Sequence, residues 1–130
     1  MITINEIDEK ARIAKMLCVY RLLKGKTLKN MYGTGLGLTF QQGQKYENML
    51  NAISAHKLMF LCRRENYDFK TISTGNPNNL VQKLDEKQKL RAFHKFAEIE
   101  RLKEEEQQAY YNAILPKIHL EMTYKDTFGK

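Results

Sequence analysis

Tryptophan is absent from this 130-residue chain, and proline and cysteine occur only twice each. The two cysteines, Cys18 and Cys62, sit among apolar neighbours, which favours buried reduced thiols over a disulfide framework. With three scattered histidines no zinc-ligand spacing can be written, and neither a metal nor another cofactor is expected. No Ser/His/Asp, Cys/His or paired-carboxylate constellation falls on elements that the chain would bring together, so an enzyme is not expected. No apolar run reaches membrane-spanning length. Acidic Glu6, Asp8 and Glu9 stand where the apolar stretch of a secretory signal would begin, which points to the cytoplasm. A period-two strand pattern of useful length is also missing, leaving an all-α class.

What the chain does hold is positive charge, a formal +7 with a pI near 9.4. Such a balance suits polyanionic partners, nucleic acid or an acidic membrane surface. The excess is uneven: residues 1–72 carry 12 Lys and Arg against 6 Asp and Glu, whereas residues 73–130 carry 10 against 9. A chain of this length has room for one compact core and an appendage.

Apolar residues at Ile7, Ala11, Ala14, Leu17, Cys18 and Leu22 recur at helical spacing, predicting a first helix from Asn5 to about Lys24 with Thr3 or Asn5 as cap and Gly25 as stop. A short second helix is expected over Leu28–Thr34, broken by Gly35-Leu36-Gly37-Leu38. Thr39-Phe40-Gln41-Gln42 has the form of a capping box and starts a third helix running to about Asn48. Ser54 signals a fourth helix, with Leu58, Leu61 and Cys62 as its apolar face, and a fifth element spans Asp68–Ile72. Residues 73–79 read as a linker between a domain over 1–72 and a tail over 80–130. The tail is a long charged helix that Pro116 is expected to end.

The stretch from Gly37 to Asn48, followed by Asn51-Ala52-Ile53-Ser54-Ala55-His56-Lys57-Leu58, resembles the phage repressor and Cro type, or Xre-like, family of helix-turn-helix transcriptional regulators. The likeness covers about residues 12–72 and is densest from Leu36 to Leu61. It implies a five-helix, lambda-repressor-like DNA-binding domain of bacterial or phage origin whose second motif helix enters the major groove. Base contacts fall by resemblance on Phe40, Gln41 and Lys45, chemistry that suits a thymine methyl, an adenine edge and a guanine edge in turn. Lys29, Thr39, Gln42, Gln44, Asn48 and Asn51 fall at backbone or secondary contacts. Gly33 and Gly37 match the small residue between the motif helices and the glycine of the turn, while Tyr32, Leu36, Leu38 and Tyr46 seat the pair on the core. Two departures stand out. Gly43 replaces the Val or Ile of relatives, removing an apolar anchor and about 1 kcal/mol of helix propensity relative to Ala. From Gly25 to Gly33 the chain has one residue more than the family spacing, predicting a bulge at Lys26-Thr27-Leu28 or a shifted start of the second helix.

His56 reads as a helix-surface residue, and the glycines of Gly33-Thr34-Gly35-Leu36-Gly37 have the wrong spacing and no preceding strand for a dinucleotide loop. In the tail, Phe93, Phe96, Ala97 and Leu102 are expected to form a homodimer interface, with folding back on the amino-terminal core as the alternative, since regulators of this type read two half-sites on double-stranded DNA. The alternative is an antitoxin-like interaction protein, whose C-terminal helix binds a partner protein while the helix-turn-helix autoregulates. The acidic run Glu98–Gln108 is a solvated face in the first reading and a holder of a basic partner in the second.

Overall fold

Thr3 opens the first helix, α1 (Ile4–Leu23), with a capping box: the Glu6 amide donates to Thr3 Oγ1 (3.2 Å) and the Thr3 amide to Glu6 Oε2 (2.9 Å). The helix ends in a Schellman turn. Gly25 takes φ +64°, which glycine adopts without a Cβ penalty, and the Gly25 and Lys26 amides donate to the carbonyls of Leu22 and Arg21. This computed structural model describes residues 3–34, 38–49 and 51–128. After α1 come a π-helical segment (Lys29–Thr34), α2 (Phe40–Glu47), α3 (Ala55–Glu65), α4 (Phe69–Thr74), α5 (Pro77–Val81) and α6 (Glu86–Phe128). The described residues contain no strand, and the chain is all-α.

After Gly25, residues 26 and 27 lie outside the helices, and the segment Lys29–Thr34 is wound as a π-helix, in which each turn holds more residues than an α turn. The Thr27 hydroxyl accepts from the Asn30 amide (3.1 Å) at its start. The turn glycine Gly37 and its neighbour Leu36 lie outside the described residues. Ser54 stands at the N-cap of α3 with extended backbone, but its hydroxyl makes no capping bond. Asp68 does cap α4, accepting from the Lys70 amide (3.1 Å) and the Thr71 hydroxyl (2.7 Å).

All six apolar positions read from the sequence of α1 are buried, and Met16 and Val19 are buried with them. Helix α1 is the axle of the molecule, touching α2, α4, α5 and α6, so little of its circumference reaches solvent. Its residues join Tyr32, Leu61, Ile72 and Val81 in the main core.

Residues 73–79 are not a free linker. Arg12 donates to the carbonyls of Ile72 (2.6 Å), Ser73 (2.8 Å) and Gly75 (3.0 Å), and Asn76 caps α5 with the buried Pro77 in its first turn. Leu80, Val81 and Leu84 then enter the main core, so the boundary expected from loop composition is a packed corner. Loop composition reports turns; it does not report whether carbonyls find a guanidinium.

Helix α6 folds back along α1 in antiparallel fashion. Gln88 Nε2 donates to the Leu22 carbonyl (2.8 Å), Lys15 pairs with Glu100, Lys10 Nζ with Glu106 (3.2 Å), and Gln107 Nε2 donates to Asp8 Oδ1 (2.7 Å). Ala92, Phe96 and Ile99 are buried, and Lys15 lies 5.5 Å from the centroid of the Phe96 ring. Phe96, expected between subunits, is thus core, because α1 offers it apolar surface within its own chain. Leu102 is half-buried, whereas Phe93 and Ala97 are exposed. Pro116 does not end α6, which continues to Phe128. With 43 residues against the 20 of α1, it is about 64 Å long against about 30 Å and outruns its partner. No helix among the described residues is long and apolar enough to cross a membrane.

Candidate nucleic-acid interface

Helix α2 has only 8 residues, so its orientation depends on what grips its inner face. Thr39 starts it, accepting from the Gln42 amide at 3.2 Å, but the reciprocal bond of a full capping box is not made. Gly43, expected to leave the helix without an anchor, does the opposite. A Cβ there would stand 2.2 Å from Tyr32 Cδ2 and 2.4 Å from Cγ, so the glycine admits the tyrosine ring against the helix backbone. The apolar volume that Val or Ile would supply from α2 is supplied by Tyr32 from the π segment.

The same ring carries a polar lock. Tyr32 Oη donates to Glu47 Oε2 at 2.8 Å, and Arg21 Nε lies 3.0 and 2.9 Å from the two Glu47 oxygens. Arg21 Nη1 also donates to the Lys26 carbonyl (3.0 Å), tying the end of α1 to the same point. Tyr32 and Glu47 are fully buried. Burial, then the Glu47 carboxylate, hold the Tyr32 phenol well above its usual range, so it remains the donor. Burial pulls the Arg21 guanidinium down, but Glu47 more than reverses this and leaves it raised. Burial and then Glu47 also push the Cys18 thiol up to about 12.

Sequence reasoning missed this triad. Arg21 follows Ala14, Leu17 and Cys18 at the spacing of a buried helix face, and a charged residue in such a register calls for a partner. Glu47 lies one helical turn beyond Gly43, so the pair left a trace in the pattern.

With its inner face held, α2 turns Phe40, Gln41, Gln44 and Lys45 to solvent, and Phe40 is 46% exposed despite being apolar. Gln42 is half-buried, and Thr39 is exposed at the cap. Lys29 at the start of the π segment and Asn51 after α2 are exposed as well, the Asn51 amide donating to the Lys45 carbonyl (3.3 Å). Asn48, expected at the DNA backbone, is half-buried, and its side-chain oxygen accepts from Lys95 of α6. Beside it, Met49 takes φ 64° and is buried with Ile7, Ala11, Ala14 and Ile99, so the end of α2 is tied to both long helices.

Part of the positive charge is paired and part is not. Between α1 and α6, Lys10, Lys15 and Lys103 are neutralised by Glu106 and Glu100. Exposed Lys29 on the π segment and Lys45 on α2 and half-buried Lys57 on α3 have no acidic partner among the described residues, and neither do Lys24, Arg63, Lys70, Lys83, Lys87 and Arg91. Cations with no internal partner are available to phosphates. Compared with family models, with curated proteins and with solved structures, the chain has no match in any of the three.

Proposed function

We propose that the chain is a sequence-specific transcriptional regulator, a repressor, that acts in the cytoplasm on double-stranded DNA. The π segment and α2 serve as the helix-turn-helix of a lambda-repressor-like domain, and α2 is the reading helix in the major groove. The observation that carries this reading is the two-sided character of α2: an inner face locked by Tyr32, Glu47 and Arg21, and an outer face of Phe40, Gln41 and Lys45. A reading helix needs both, because base-edge hydrogen bonds discriminate only when their donors are held in place. Lys29, Lys45 and Lys57 supply the sequence-independent attraction to phosphates.

The test is to select duplex fragments with the whole protein from a random pool and measure affinity for the winner against salt. Log affinity falls linearly with log salt, with a slope of about −0.9 per phosphate neutralised. A flat salt response, or no enrichment of any sequence, overturns the proposal.

A further inference from the structure

One face of α6 lies away from the buried contact with α1 and is largely open to solvent, with Leu90 also at the edge of an open cleft that Cys18, Arg21 and Leu22 of α1 line. Helical geometry sets Leu90, Phe93, Ala97, Glu104, Tyr111 and Leu115 on a stripe roughly 60° wide, with Phe93 and Tyr111 about five turns apart on one line. The inward residues Ala92, Phe96 and Ile99 lie on another side. Four large apolar groups of the stripe are open to solvent: Leu90 is 73% exposed, Phe93 48%, Tyr111 47% and Leu115 53%. They form two pairs, one near each end, and the middle of the stripe is polar.

That layout is self-complementary under a twofold axis. A point between Leu102 and Lys103 is as far from Leu90 as from Leu115, nearly as far from Phe93 as from Tyr111, and as far from Ala97 as from Gln108. It also lies midway between Arg101 and Glu104. We infer that α6 pairs in antiparallel fashion with α6 of a second copy over residues 90–115, through the face that Phe93 and Ala97 share. Each apolar pair then covers the opposite pair, and Arg101 of each copy meets Glu104 of the other beside the axis. Among the described residues Arg101 reaches only Glu105, in an exposed contact at 2.8 Å, and Glu104 has no partner. Ala97 and Gln108 meet where a small side chain lets the helix axes approach to the usual 8–10 Å. The overlap is about 39 Å long. A parallel pair would set Arg101 beside Arg101 and Glu104 beside Glu104, so the charges choose the antiparallel sense. This interface replaces the one expected from Phe96 and Leu102. It supplies the twofold that the proposed DNA reading uses, yet it stands on α6 alone and is tested without DNA.

The experiment uses the full chain under oxidising conditions with three variants: Ala97→Cys, Gln108→Cys and both together. Positions 97 and 108 of one helix lie about 16 Å apart, beyond the reach of a disulfide. The expected result is a particle of twice the 15.3 kDa chain in light scattering, and a covalent dimer in the double variant only. Leu115→Glu, at an exposed site, should abolish that dimer while leaving the helical circular dichroism unchanged. A monomeric parent chain, or a covalent dimer from Ala97→Cys alone as a parallel pair would give, overturns the inference. Failure here leaves the salt and selection results on DNA as they stand.

Discussion

The ring of Tyr32 occupies the space that a side chain at Gly43 would need, with a Cβ there only 2.2 Å from the ring carbon Cδ2. The two residues are thus one choice made at two positions. The large partner lies on the π segment and the absent side chain on α2, and the phenol reaches past the glycine to Glu47. Gly43→Val should destabilise the protein by about 1–3 kcal/mol, despite the better helix propensity of Val, because the ring has no other place to go. Tyr32→Ala should itself lower stability by about 3–5 kcal/mol. Combined, the two should be less harmful than their sum, since each makes room for the other's change. Urea unfolding of the four proteins measures this, and strict additivity would show that the contact is not what sets the residue at position 43.

Neighbouring phenylalanines of α6 should behave oppositely in folding. Phe96 is buried against α1, so Phe96→Ala should cost about 3–5 kcal/mol, and Phe96→Glu should unfold the junction of the two helices. Phe93→Ala, at a site 48% exposed, should shift the unfolding midpoint of the isolated chain by less than about 1 kcal/mol. Dilution below the dimerisation range removes any contribution from self-pairing. Equal losses for the two would place α6 elsewhere.

Base reading and phosphate holding fail differently. Gln41→Ala should weaken the selected DNA by about 1–3 kcal/mol and random duplex far less, because one bidentate base contact is lost. Lys29→Ala should weaken both by similar factors and reduce the salt slope by about one contact. Gln41 is exposed and takes no part in the cap that Thr39 makes with the Gln42 amide, so the variant should melt like the parent. An unchanged preference for the selected DNA would mean that α2 is not the reading helix.

Alkali should lower the stability of the protein through its buried protonated groups. In the folded chain the Cys18 thiol is raised to about 12 from 9.0, mainly by burial, and Tyr32 is raised well above 10.0 for the same reason. The unfolded chain therefore releases these protons at lower pH, and above about pH 9 it binds fewer of them than the native state. Stability contributed by the protonated groups is intact below pH 9 and is lost as pH rises toward 12. Melting temperature should fall over that window, and Tyr32→Phe should flatten part of the fall while lowering the plateau through loss of the Glu47 bond. A melting temperature constant from pH 8 to 11 would contradict the buried positions of both groups.

The all-α class, the buried register of α1 and the cap at Thr39 follow from the sequence by itself, and the structure chose Thr3 over Asn5 for the first cap; caps and amphipathic spacing involve residues within one or two turns of each other. The expected outward set also held Gln42, which is half-buried, whereas Phe40, Gln41, Gln44 and Lys45 are exposed on one short helix with a recognisable start. Tertiary structure alone decided which of two apolar faces of α6 meets α1. Leu90 and Phe93 look as good on paper as Ala92, Phe96 and Ile99, and only the positions of Lys10, Lys15 and Leu22 across the gap break the tie. It also decided that Asn48 serves Lys95, that Arg12 gathers the carbonyls of residues 72–75, and that an unfilled position at Gly43 is filled by Tyr32. Those outcomes rest on groups far apart in the chain, whose distances no local periodicity contains.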